Sequence, residues 1–235
     1  DYSRAESIFR RLADSEPEEF AFQLWLGHSL AHLHRLPEAE AILRKAQEMN
    51  PHHPLPFLFR GWVLFAQKNY EAAIEPLSRA LALAPDEFAY ILRGQCHHFL
   101  RRFDDALADY AEAFKLVPNN GQTFMLRSAT YLERGQPNDA FEDTTKAISL
   151  NPSLAHAYYY RATARQNLGG SPQDSIDDLS KAIEITPSLA EAWLARGWNY
   201  LEKLSDLDRA VEDFSKAIGL NPESCQALNN RAWAY

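Results

Sequence analysis

Apolar residues recur along this chain at the three- and four-residue spacing of helices buried on one side. Between Ala140 and Pro152, for example, Ala140, Thr144, Ala147, Ile148 and Leu150 share a face. Stretches of this kind end repeatedly at a proline, which removes a backbone donor and stops the helix. The prolines at 17, 51, 85, 118, 152, 187 and 222 are 34, 34, 33, 34, 35 and 35 residues apart. A period of that size marks a repeat architecture before any single helix is assigned.

Numbering each repeat from its first residue, full units start at Phe20, Pro54, Glu87, Gly121, Ala155 and Ala190, and a seventh begins at Cys225. The eighth slot is always small (Gly27, Gly61, Gly94, Ser128, Ala162, Gly197, Ala232), and so is the twentieth (Ala39, Ala73, Ala106, Ala140, Ser175, Ala210), the slots after the turn being counted past one extra residue in the units from Ala155 and Ala190. This predicts two antiparallel helices touching at those slots, where a larger side chain would wedge them apart. Bulky pairs at slots 4 and 24, such as Tyr90 with Tyr110 and Trp193 with Phe214, are expected to fill the space beside the contact. Gly135-Gln136-Pro137-Asn138 and Gly169-Gly170-Ser171-Pro172 read as the turns between the helices.

The run Trp193-Leu194-Ala195-Arg196-Gly197-Trp198-Asn199-Tyr200, followed by Ala210, Phe214, Ala217 and Pro222, resembles the tetratricopeptide repeat signature, and the resemblance covers essentially the whole chain. It implies an all-α, right-handed α-α superhelical solenoid of about seven hairpins, about 14 helices. Residues 1–235 then form one array: 1–19 (second helix only), 20–53, 54–86, 87–120, 121–154, 155–189, 190–224 and 225–235 (first helix only). Because Tyr2, Ala5, Phe9 and Leu12 match a second helix, and Leu228 and Tyr235 would face water, the register predicts an excerpt of a longer protein. Departures from the signature are Gln23, His97 and Arg165 at aromatic positions, and Pro76 inside a second helix, where a kink is expected.

The resemblance also implies that first helices line a concave face through slots near 2, 5, 6, 9, 12 and 13. Those slots are rich in apolar side chains: Trp25, Leu58, Phe59, Trp62, Phe65, Phe88, Ile91, Leu92, Phe99, Met125, Leu126, Tyr159, Tyr160 and Trp198. With Phe57, Gly61 and Leu64 assigned to the hairpin core, residues 55–66 are apolar nearly all round, a pattern that calls for cover on every side. Either neighbouring first helices cover them, or a partner does. Large apolar patches are rare on monomers, so a protein or peptide partner with an apolar or amphipathic segment is expected, anchored by aromatics such as Trp62. Some tetratricopeptide proteins grip the acidic C-terminus of a heat-shock protein with Lys, Asn and Arg on this face. Here Leu24, His28, Phe59, Phe88 and Leu92 stand in one such window, so that partner is not expected. An asparagine ladder along the groove is likewise absent, Asn230 alone fitting it.

Arginine recurs at slot 7 (Arg60, Arg93, Arg127, Arg161, Arg196, Arg231), in phase with Asp109, Asp143, Asp178 and Asp213 on the second helices and with Glu75 beside Pro76. A structural row of salt bridges along the hairpin seam is the reading favoured over a phosphate-binding stripe. His28 and His32 share a helix face, but a third ligand at defined spacing is missing, so no metal is expected. No nucleophile elbow, phosphate-cradling glycine loop or zinc-protease motif occurs, and neither catalysis nor a cofactor is expected. Net charge of −8 disfavours nucleic acid, no apolar run is long enough to insert in a membrane, and Cys96 and Cys225 are too few for a disulfide framework. The sequence therefore points to a non-catalytic interaction scaffold, with a cytoplasmic location favoured. A regulatory or targeting segment of a larger enzyme, such as a kinase or glycosyltransferase, and a self-association module are the alternatives.

Overall fold

The computed structural model describes the backbone of residues 1–235 and every side chain but that of Lys203. Fourteen helices account for most of it: α1 (Tyr2–Ser15), α2 (Phe20–His32), α3 (Leu36–Met49), α4 (Pro54–Ala66), α5 (Tyr70–Leu83), α6 (Glu87–Phe99), α7 (Phe103–Leu116), α8 (Gly121–Arg134), α9 (Pro137–Leu150), α10 (Ala155–Asn167), α11 (Pro172–Ile185), α12 (Ala190–Leu204), α13 (Leu207–Leu220) and α14 (Cys225–Trp233). Among the described residues there is no strand. The starts of α2, α4, α6, α8, α10, α12 and α14 are the residues at which the period places its units.

Local chemistry sets the boundaries. Asp86 accepts from the Ala89 backbone N–H at 2.8 Å, Asn120 from Gln122 at 2.9 Å and Asp206 from Arg209 at 3.1 Å, satisfying donors the first turn leaves open. The turn inside each hairpin places one residue in the left-handed region. Gly135 (φ 80°) and Gly169 (φ 70°) adopt it without strain, whereas His34, Lys68, Arg101 and Ser205 do so with a side chain (φ 53–60°).

The helices fall into two compact units, Asp1–Pro118 and Asn119–Tyr235. In the first, α2 pairs with α3, α4 with α5 and α6 with α7, while α1, α3 and α5 each pack on the next first helix. The second repeats the scheme with α8/α9, α10/α11 and α12/α13, and with α14 against α13. The hairpin contact differs in one respect from the expectation. The atoms closest over each slot-8 glycine come from slot 24, not from the slot-20 alanine: a Cβ on Gly61 would lie 2.5 Å from Leu77 Cγ, and one on Gly197 2.8 Å from Phe214 Cε1. Tyr110 and Phe214, expected to stand beside the contact, are fully buried inside it. Pro76 is buried within α5, which runs unbroken from Tyr70 to Leu83.

Along the seam, four of the six slot-7 arginines hold their aspartates with two parallel bonds. Arg93 bonds Asp109 at 2.9 and 2.6 Å, Arg127 bonds Asp143 at 2.7 and 2.8 Å, and Arg196 bonds Asp213 at 2.8 Å through both nitrogens. Arg161 holds Asp178 in the same way, and Arg165 adds a third bond to it at 3.0 Å. At Arg60 the pairing is looser than in those four units. Pro76 occupies the aspartate slot, the carboxylate stands one residue earlier on exposed Glu75, and Arg60 only approaches it at 3.9 Å. Arg60 also donates to Gln47 at 3.3 Å, and its buried Nε, 3.9 Å from Glu40, makes no hydrogen bond. Arg231 donates to Ser215 Oγ at 3.4 Å.

Candidate functional site

The residues expected to line the groove divide into three environments. Leu58, Ile91, Leu92 and Met125 are buried, so these four belong to the core and offer nothing to a partner. The physical reason is that first helices touch one another as well as their own second helices, α2 with α4 and α4 with α6, and close over the inner edge of the row. Phe59, Trp62, Phe65, Leu126, Tyr159, Tyr160 and Trp198 are half-buried, each with one side packed and one open. Trp25, Phe88 and Phe99 are 40%, 49% and 51% exposed, high values for rings of this size.

In the first unit these rings form chains of contact across successive first helices. His28 lies 4.5 Å from the Phe59 ring and 5.5 Å from Trp25, and His32 lies 4.7 Å from Trp62 and stacks on Tyr2 at 3.9 Å. Further on, Phe99 stacks on Tyr70 at 4.6 Å and leans on Phe65 at 6.1 Å. Phe59 and Trp62 pack against two buried clusters, one centred on Leu30 and Leu43 and the other on Leu77 and Leu92. Packing therefore holds the anchor rings in place before any partner arrives, which lowers the ordering cost of binding.

Burial lowers the pKa of His28, and the neighbouring His32 adds to the effect; burial also lowers His32, with His34 contributing. The two Nε2 atoms are 3.2 Å apart. Among the described residues no group of three or more His, Cys, Asp or Glu is placed to hold a metal ion. Cys96 is fully buried, and burial pushes its thiol up to about 12, which leaves no thiolate for chemistry near neutral pH.

The second unit carries a cavity of about 350 Å³ on its first-helix side, between α10, α12 and α14. Tyr159, Leu194 and Trp198 supply apolar walls, and Thr163, Gln166, Glu191, Gln226 and Asn230 the polar ones. All occupy slots 2, 5, 6, 9 or 12. The period thus fixes the slots of this lining, while the polar side chains of Thr163, Gln166, Glu191 and Gln226 carry no apolar signal to mark them.

A row of helical hairpins with small residues at the crossing, a guanidinium seam and one face of first helices left partly open defines a helical-repeat protein built around an open face rather than an enclosed pocket. The chain belongs to the tetratricopeptide repeat family, whose models match residues 1–54, 48–88, 87–120 and 190–224. Over 154 residues it is 22% identical to anaphase-promoting complex subunit 3 of Schizosaccharomyces pombe, covering 65% of this chain and 23% of that protein. Over 105 residues it is 31% identical to Hsc70-interacting protein 1 of Drosophila melanogaster, covering 45% of this chain and 25% of the other. The chain thus spans about a quarter of the length of these relatives. Among solved structures, the APC/C hetero-tetramer Cut9-Hcn1 superposes with a TM-score of 0.86 at 17% identity, covering all of this chain and 46% of that one. That likeness is one of fold.

Proposed function

We propose that this chain is a non-catalytic protein-interaction scaffold, and that the first-helix face of residues 1–118 receives an apolar or amphipathic segment of a partner protein. The observation that carries the reading is the exposure of Trp25, Phe88 and Phe99 on the first helices flanking that of half-buried Phe59, Trp62 and Phe65, the latter three packed against the core. Aromatic anchors of this kind dominate interface energetics, and contiguous exposed apolar patches mark interaction sites. Relatives named for assembly or interaction, a subunit of the anaphase-promoting complex and an Hsc70-interacting protein, support the general role. An acidic heat-shock C-terminus is not the proposed ligand, because the face offers Leu24, His28, Phe59, Phe88 and Leu92 where Lys, Asn and Arg would be needed. Net charge of −8 argues against nucleic acid, and no helix among the described residues is long and apolar enough to cross a membrane. A reducing, cytoplasmic setting suits the two free cysteines, Cys96 and Cys225.

A random heptapeptide library displayed on phage and panned on the intact chain tests the proposal. Peptides with two or more large apolar residues should be selected, and their affinity should fall by about 2 kcal/mol or more in a Trp62→Ala variant that keeps its melting transition. Selection of the same peptides by a Phe59→Ala, Trp62→Ala double variant would remove this face from the account.

A further inference from the structure

The cavity of the second unit has a chemistry of its own. Glu191 is its sole charged lining residue, and among the described residues no cation stands within salt-bridge distance of that carboxylate. The arginines of the same helices are engaged elsewhere: Arg161 and Arg165 on Asp178, Arg196 on Asp213 and Ser180, and Arg231 on Ser215. The field inside is therefore negative. The Glu191 charge reaches two neighbouring tyrosines. Burial first, and then the Glu191 charge, raise Tyr159; burial pushes Tyr160 up to about 12, with Tyr159, Glu191 and Glu133 adding to the shift. The walls beside the carboxylate are aromatic, Tyr159 on α10 and Trp198 on α12, and a ring face attracts a cation. The remaining polar lining is carboxamide: Gln166, Gln226 and Asn230, of which Gln166 Nε2 is buried with no hydrogen-bond partner. Carboxamides pair with peptide backbone, offering one donor and one acceptor group each. A volume of about 350 Å³ suits one long side chain with its adjoining peptide units rather than a large cofactor.

We propose that this cavity takes a lysine or arginine side chain from an extended partner segment, the cation held by Glu191 and the Tyr159 and Trp198 rings while Gln166, Gln226 and Asn230 bond the partner's backbone. The inference rests on the reading of the chain as a peptide-binding scaffold. It adds a second specificity element, chemically opposite to the apolar face of residues 1–118. A partner using both would carry apolar anchors and a basic residue, which agrees with the net charge of −8.

The same displayed library, panned in parallel on the wild type, on Glu191→Gln and on the Phe59→Ala, Trp62→Ala variant, provides the test. Selected peptides are synthesised with the basic residue or with norleucine in its place, and their binding is measured by fluorescence anisotropy at low and high salt. The wild type should select peptides with Lys or Arg at a fixed position. Glu191→Gln should weaken the basic peptide about three- to fivefold, an effect that shrinks in salt. Trp198→Leu, which keeps apolar bulk and removes the ring face, should weaken it about tenfold. The norleucine peptide should bind wild type and Glu191→Gln alike. Equal binding of lysine and norleucine peptides by the wild type, or selection without any basic preference, overturns the inference. If apolar peptides are still selected and are lost in the Phe59→Ala, Trp62→Ala variant, that failure leaves the scaffold reading standing. If nothing is selected, both fall. Glu191 is exposed, so its variant is expected to fold and to carry the test even where Trp198→Leu does not.

Discussion

The seam arginines do more than neutralise an aspartate. Arg127 lies over Phe124 at 5.5 Å and Tyr131 at 5.6 Å, and Arg196 over Trp193 at 5.0 Å and Tyr200 at 5.9 Å, so slots 4 and 11 sandwich the guanidinium of slot 7. The free end of the fork reaches back one repeat: Arg93 donates to Ser78 Oγ and Arg196 to Ser180 Oγ, both at 2.9 Å. Each such arginine thereby fixes its own hairpin and the spacing to the previous one. Burial raises Asp143 and Asp213, and the bonds from Arg127 and Arg196 oppose the shift without cancelling it. Pairs that carry a desolvation cost of this kind fix geometry more than they add net stability, yet removing one partner strands the other. Asp213→Ala should therefore cost about 3 kcal/mol in denaturant unfolding, and the loss should be smaller when Arg196 is truncated as well. A carboxyl raised on folding stabilises the native state below its unfolded value and loses that contribution as pH rises, so these two groups do not drive acid unfolding. The histidines act in the other sense. His28, His32 and His97 are all lowered from 6.5, chiefly by burial, so the unfolded chain binds the extra protons and stability declines as pH falls below 6.5. The melting temperature should drop between pH 7 and pH 5, and replacing His28, His32 and His97 by glutamine should flatten that slope; an unchanged slope would show that the lowered values are not linked to folding.

Among the elements, the α5 helix departs most from its neighbours. Pro76 removes a backbone donor from its interior and an acceptor from the seam, leaving Arg60 at 3.9 Å from two carboxylates, Glu40 and Glu75. Pro76→Asp should stabilise the chain by up to about 3 kcal/mol, the ordinary cost of an interior proline, less the desolvation of a carboxylate at this buried position. The same substitution in an Arg60→Ala background isolates the part contributed by pairing with Arg60. The hairpin turns offer a second test: Lys68 holds a φ of 60°, so Lys68→Gly should raise stability by about 1 kcal/mol in the same unfolding measurement. These two elements also show how far the sequence can be read. First-helix starts fall two or three residues after each periodic proline, because a missing N–H and a fixed φ act locally. The seam follows from two in-phase rows of opposite charge. The left-handed turn residues escape, since only Gly135 and Gly169 advertise that conformation while His34, Lys68, Arg101 and Ser205 adopt it with side chains that do not favour it. The notch over slot 8 was legible as small, but which side chain enters it depends on the offset between antiparallel helices, which no single repeat encodes. At the candidate site, slot numbering located the lining, while burial of Leu58, Ile91, Leu92 and Met125 depends on first helices touching one another.

For the molecule as a whole, two open faces of different character follow from one repeat. Residues 1–118 present rings anchored in the core, and residues 119–235 present an acidic, carboxamide-lined cavity. If the aromatic face serves a different protein, light scattering across a concentration series should return the mass of a single chain, 26.8 kDa, throughout. A dimer that the Phe59→Ala, Trp62→Ala variant dissociates would assign that face to a second copy instead. The central claim, that the first helices of residues 1–118 are a docking face, is tested most directly by hydrogen–deuterium exchange on the chain saturated with an apolar peptide selected from the library. The account predicts added protection in α2, α4 and α6, with α3, α5 and α7 exchanging as in the free chain. Protection confined to the second helices, or none in this unit despite full occupancy, would contradict it.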